Sequence, residues 1–220
     1  MPLKDDLILR SLEQLAEVVR ALAGNVSTQA IEEAEATLAN AYRQHTGSEA
    51  KLFRQLPSEQ LLSVLSSAGA LDKEKAYLIG SMFSVDARLE QAKGNDAPVN
   101  LQLKALDLHL AAANAELDVE DNDEQIERLL GELSVYVLPD ATQWRLFDYA
   151  VISKNYADAE DRLFGLLERL GTTQSVQGRG EAFYAHLRKM NDSTLAAGGL
   201  PRDEVEEGSS AFAARFVKNS

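Results

Sequence analysis

The sequence predicts an all-α fold of antiparallel helical hairpins, on three observations. Apolar residues recur at spacings of three and four through most of the chain, the period of a helix with one buried face. Of the 220 residues 45% are hydrophobic but only 6% aromatic, a balance carried by Ala and Leu, the best apolar helix formers, while Val, Ile and Thr are sparse. Gly and Pro, which interrupt helices, fall in short polar breaks between the periodic segments. A chain of this length buries roughly 70% of the surface its unfolded form exposes, so a real core is expected.

A first helix is predicted over about residues 4–23, with Leu7, Ile8, Leu12, Leu15, Val19 and Leu22 on one stripe. Asp5 and Asp6 complement the positive end of its dipole, and Gly24-Asn25 supplies a stop. A second helix follows over 28–45, with Ile31, Ala34, Leu38, Ala41 and Tyr42 inward. The short link between the two favours an antiparallel pair. Residues 47–69 read as an elaboration. Pro57-Ser58-Glu59 starts a short helix with Ser58 as N-cap and Leu61, Leu62 and Leu65 as its apolar edge, and SSAGALD ends it. Asp72 caps a longer helix over 73–92, striped by Leu78, Met82, Val85 and Leu89. The turn from Gly94 to Pro98 then leads into a return helix over 100–117 through Leu103, Leu106, Leu110 and Ala113.

The acidic run from Asp118 to Glu124 is the best candidate linker, and Asn122 with Gln125 has the spacing of a capping box ahead of Ile126, Leu129, Leu130 and Leu133. Pro139 ends that segment. Asp140 and Gln143 repeat the capping-box spacing before the most regular hairpin in the chain, QWRLFDYAVISKNYADAEDRLFGLLERL, which turns at Lys154-Asn155. Residues 171–180 are expected to be a polar loop, with helices at 181–190 and 201–216 separated by a break at 197–201. The whole is read as one helical-repeat domain over 1–217, with a possible subdivision into 1–118 and 123–217.

That hairpin resembles the tetratricopeptide repeat, a helix pair with a period of about 34 residues. Ala159 with Leu163 matches the second helix of the motif, Tyr156 the aromatic that opens it, and Leu146 a leucine position of the first helix. Phe147 stands where the motif has glycine, Gln143 where tryptophan is commonest and Ala150 where tyrosine is commonest. A bulky Phe147 forces the paired helices apart or needs a hole opposite it. The order of parts through DDLILRSLEQLAEVVRAL, LPSEQLLSVLSSAGALDKEK, NYADAEDRLFGLLE and GLPRDEVEEG is similar to a group of small bacterial TPR-like proteins known as a domain of unknown function. The resemblance implies TPR-like hairpins stacked into a short curved array, an α-α superhelix, and carries no activity with it.

Chemistry-bearing residues are few. Lys and Arg number 22 against 35 Asp and Glu, a net charge of −13, so nucleic acid and anionic membrane are repelled at long range and neither is expected as a partner. There is no cysteine, which excludes disulfides, thiolate metal sites and thiol nucleophiles. No signal peptide or run of about 18 apolar residues is present, and a cytoplasmic location is expected. The sequons at Asn25 and Asn191 are then chance matches. His45, His109 and His186 fall in no metal-binding spacing, and His109 in its Leu/Ala-rich surroundings reads as structural. Asp118, Glu120 and Asn122 alternate like calcium ligands, but Asp123 replaces the turn glycine and Leu129 the closing glutamate. QGRG at 177–180 lacks the lysine and the strand of a phosphate loop and reads as a flexible connection.

No catalytic, cofactor or metal residues are therefore assigned, and a non-enzymatic module for a protein or peptide partner is the expected function. If the TPR-like register holds, Trp144, Asp148 and Val151 face the groove and form the candidate partner-binding site. The alternative for Trp144 is a place in the core beneath residues 171–180. Other readings are a homodimer through the exposed apolar side of the last hairpin or the C-terminal helix ending in Phe212 and Phe216, and a helical enzyme with a site of scattered residues.

Overall fold

The computed structural model describes residues 2–23, 27–95, 98–117 and 119–217, and those residues are helical apart from short connections and one two-stranded ladder. The chain divides into two compact units, residues 1–137 and 138–220. The first contains α1 (Pro2–Ala21), α2 (Thr28–Thr46), α3 (Ala50–Gln55), α4 (Ser58–Val64), β1 (Ser66–Ser67), β2 (Ala70–Leu71), α5 (Lys73–Ala92), α6 (Val99–Asn114) and α7 (Glu120–Glu132). The second contains α8 (Asp140–Ile152), α9 (Tyr156–Leu170), α10 (Gln174–Leu187), α11 (Asp192–Ala197) and α12 (Arg202–Val217). Gly24-Asn25, the first residues of the sequon at Asn25, the middle of the 94–98 turn and Asp118 lie outside the described residues.

In the first unit α5 is the central helix. Asp72 starts it as expected, its carboxylate accepting from the Lys75 amide at 3.2 Å. Leu78, Met82, Val85 and Leu89 are buried, but so are Ala76, Ile79, Phe83 and Ala87 on the other sides. The four-residue stripe was too narrow because α1, α2 and α6 all pack on α5; a helix enclosed on several sides is apolar nearly all round. Helix α1 is rotated from its expected face. Ile8, Leu15 and Val18 are buried together with Ser11, while Leu7 is 41% exposed. Ser11 is accommodated inside because its hydroxyl meets His45 Nε2 of α2 at 2.7 Å.

Three local readings change. Pro57, not Ser58, occupies the N-cap of α4 and offers no side-chain cap. SSAGALD ends α4 by forming a hairpin, Ser66 opposite Leu71 and Ser67 opposite Ala70. Both turn residues have positive φ, Ala68 at 51° and Gly69 at 82°, as a two-residue hairpin requires. The acidic run is mostly the first turn of α7 and not a linker; the units divide after Val137. Asn122 lies within that helix and so cannot cap it.

In the second unit α8 and α9 form the expected hairpin. Lys154 takes φ 60° at the turn, and Asn155 caps α9 by accepting from Asp158 N at 3.4 Å. Asp140 is the first residue of α8, following Pro139 at the N-cap, and its carboxylate pairs with Arg169 at 2.6 Å instead of capping. The expected loop at 171–180 is largely helix. Thr173 caps α10, accepting from Val176 N at 3.4 Å, so Gly178 and Gly180 are helical. A Cβ at Gly180 would overlap the Phe212 ring of α12. Tertiary packing therefore explains a glycine that local propensity reads as flexibility. Helix α11, not foreseen, starts at Asn191, whose side chain accepts from Thr194 N at 2.8 Å.

Candidate functional site

The face of α8 singled out by the sequence is completed by α10. Trp144 and Asp148 are one helical turn apart on α8, and both meet Arg179. The guanidinium lies 4.1 Å from the centroid of the Trp144 ring and forms an ion pair with the Asp148 carboxylate. Arg179 remains 35% exposed and Asp148 40%, so this arrangement is a surface feature with a fixed interior edge.

That edge is aromatic. Trp144 meets Phe147 edge-on at 5.6 Å between centroids, and Phe147 meets Phe183 of α10 at 5.4 Å. Phe147 is 5% exposed; the space that so bulky a residue demanded is provided on the α10 side. Trp144 and Val151 are both partly buried against the same apolar cluster, so of the three expected groove residues only Asp148 belongs wholly to the charged part of the surface. The structure brings Trp144 and Asp148 together through Arg179, a residue sequence reasoning assigned to a flexible connection. Arg179 and Asp148 are 31 positions apart, and no local periodicity connects such a pair.

The histidines remain separate. His45 binds Ser11, and burial with the nearby Lys75 charge lowers its pKa. His186 lies edge-on to Tyr156 at 6.5 Å. His109 is wholly buried: Nδ1 is 2.8 Å from Asn122 Oδ1, while Asn122 Nδ2 donates to the His109 carbonyl at 3.2 Å. Since the Asn amide donates through nitrogen, its oxygen accepts from Nδ1–H, which leaves Nε2 unprotonated in the neutral ring. Nε2 is buried without a partner and faces Gly80, where an added Cβ would stand 3.1 Å away. Burial lowers the His109 pKa to about 4, against the opposing hydrogen bond from Asn122. This is the structural histidine the sequence suggested.

Asn122, counted among possible calcium ligands, is thereby occupied inside the protein. Among the described residues no group of three or more His, Cys, Asp or Glu side chains could hold a metal ion, and no helix is long and apolar enough to cross a membrane. In the second unit the Tyr184 hydroxyl donates to Glu160 Oε1 at 2.7 Å, and burial raises the pKa of both groups. Phe212, named with Phe216 for a dimer through the C-terminal helix, is 2% exposed and packs against Gly180 of α10.

A family model described as "Family of unknown function (DUF6483)" matches residues 2–216. No curated protein and no solved structure matches the chain.

Proposed function

The chain belongs to that family of unknown function, and from this premise we propose that it is a non-enzymatic binding protein whose second unit engages a protein partner through the α8/α10 face. One observation carries the reading: Arg179 stacked on Trp144 and paired with Asp148, half-exposed on α8 and α10. Tryptophan and arginine dominate binding hot spots because they bring large contact area and directed hydrogen bonds at low entropic cost. Here the guanidinium is held in place before any partner arrives, which lowers the ordering cost of association.

The TPR-like reading of α8 and α9 supports this assignment. Leu146, Tyr156, Ala159 and Leu163 are all buried, as the matching positions of that motif require. Replacing Trp144 by Ala and, separately, Arg179 by Ala tests the proposal, with partners identified by affinity capture and mass spectrometry. Loss of one reproducible protein partner in both variants, at unchanged melting temperature, is the expected result. An unchanged partner set, or loss of Trp144 that simply unfolds the second unit, would remove the α8/α10 face from the account.

A further inference from the structure

A second feature lies in the first unit and is independent of the α8/α10 face. Where α1, α5 and α7 meet there is a cleft of about 350 Å³, within the size range of small-ligand sites. Among the described residues lining it, the charged side chains are Arg20, Arg88 and Arg128 against one carboxylate, Asp121. In a chain of net charge −13 such a convergence runs against the average surface.

The three guanidiniums are unequally satisfied. Arg128 donates through Nη1 to Glu132 at 2.5 Å and through Nη2 to Gln125 at 2.8 Å, but its Nε is buried without a partner among the described residues. Among the described residues Arg20 spends only Nε, on the Ala16 carbonyl at 3.3 Å. Among the described residues nothing accepts a hydrogen bond from Arg88, and burial together with the neighbouring Arg128 charge lowers its pKa, with Glu132 opposing. The Ser84 hydroxyl, on the same wall, is also buried without a hydrogen bond. Buried donors left unmet cost stability, and those at this cleft are of the type that oxyanions satisfy.

We infer that the α1/α5/α7 cleft binds a small organic phosphate monoester. The phosphate is held by Arg20, Arg88 and Arg128 with Ser84, and an apolar body lies against the apolar part of the lining. Donors reaching in from three helices exceed what the two oxygens of a carboxylate accept, whereas a phosphate offers three terminal oxygens and a second charge. The lining also includes Leu12, Leu15 and Val85, and the volume exceeds that of an inorganic anion. Those two facts select an ester with an apolar substituent over free phosphate.

Isothermal titration calorimetry of the full chain with phenyl phosphate, inorganic phosphate and benzoate tests this. The expected result is saturable one-to-one binding of phenyl phosphate, weaker inorganic phosphate and weaker benzoate. Arg88→Gln and Arg20→Gln, each checked by thermal melting, are expected to weaken phenyl phosphate by roughly tenfold or more, as loss of a charge-assisted hydrogen bond does. Trp144→Ala, which tests the α8/α10 face, leaves this binding unchanged. Benzoate binding as tightly as phenyl phosphate overturns the phosphate assignment. Absence of saturable binding, or full binding by two folded arginine variants, overturns the site.

Discussion

His109 makes the stability of the first unit depend on pH in a way that can be isolated. Its pKa in the folded chain is about 4, against 6.5 for a free side chain. The cause is burial, which leaves a second proton on Nε2 facing Gly80 with no acceptor. The folded pKa lies below the unfolded one, so the contribution is fully present above about pH 6.5 and is lost as the pH falls toward about 4. One pKa unit corresponds to about 1.4 kcal/mol, so between about pH 7 and about pH 5 this side chain removes about 2 kcal/mol of stability. Carboxylates titrate over part of the same range, and a His109→Gln variant separates them because it keeps their contribution and cannot itself gain the proton. Urea denaturation of both proteins across that range is the assay. The stability difference between wild type and variant should shrink by about 2 kcal/mol on acidification, whatever its value at neutral pH. Parallel curves would refute the assignment of a buried neutral imidazole.

Other expectations rest on packing and pairing. Asp86 of α5 is fully buried and receives Arg54 Nε of α3 at 2.6 Å. Arg54→Ala leaves that carboxylate unpaired and should cost about 3 kcal/mol in chemical denaturation, whereas an unchanged midpoint would place solvent at Asp86. Gly180→Ala pushes a methyl into the Phe212 ring and should cost about 1–3 kcal/mol by overpacking, read as a lower melting temperature. Tyr184→Phe removes the donor to the half-buried Glu160 and should cost about 1–2 kcal/mol; a neutral result would mean that water takes the place of the hydroxyl. A double-mutant cycle on Trp144 and Arg179 should give a coupling of about 0.5–1 kcal/mol, the range for a partly exposed cation over an aromatic ring.

Which parts of the candidate site were legible follows from the range of the forces involved. Trp144 and Asp148 could be placed on one face because residues four apart on a helix share a face. Arg179 could not, because its helix was hidden by two glycines, and the reason for one of them, Gly180, is Phe212, more than 30 positions away. The capping-box spacing at Asn122 failed for the same cause. Its side chain answers His109 across the gap from α7 to α6, a demand no window of neighbouring residues contains.

The amino-acid order alone determined the helical class, the start of α5 at Asp72 and the turn at Lys154-Asn155, because caps, turns and apolar periodicity act within about one helical turn. Tertiary structure decided which face of α1 is buried, that residues 174–180 are helix, and which guanidiniums converge between α1, α5 and α7. Those outcomes depend on partners distant in the chain, where burial and charge pairing outweigh the weak preferences of each segment.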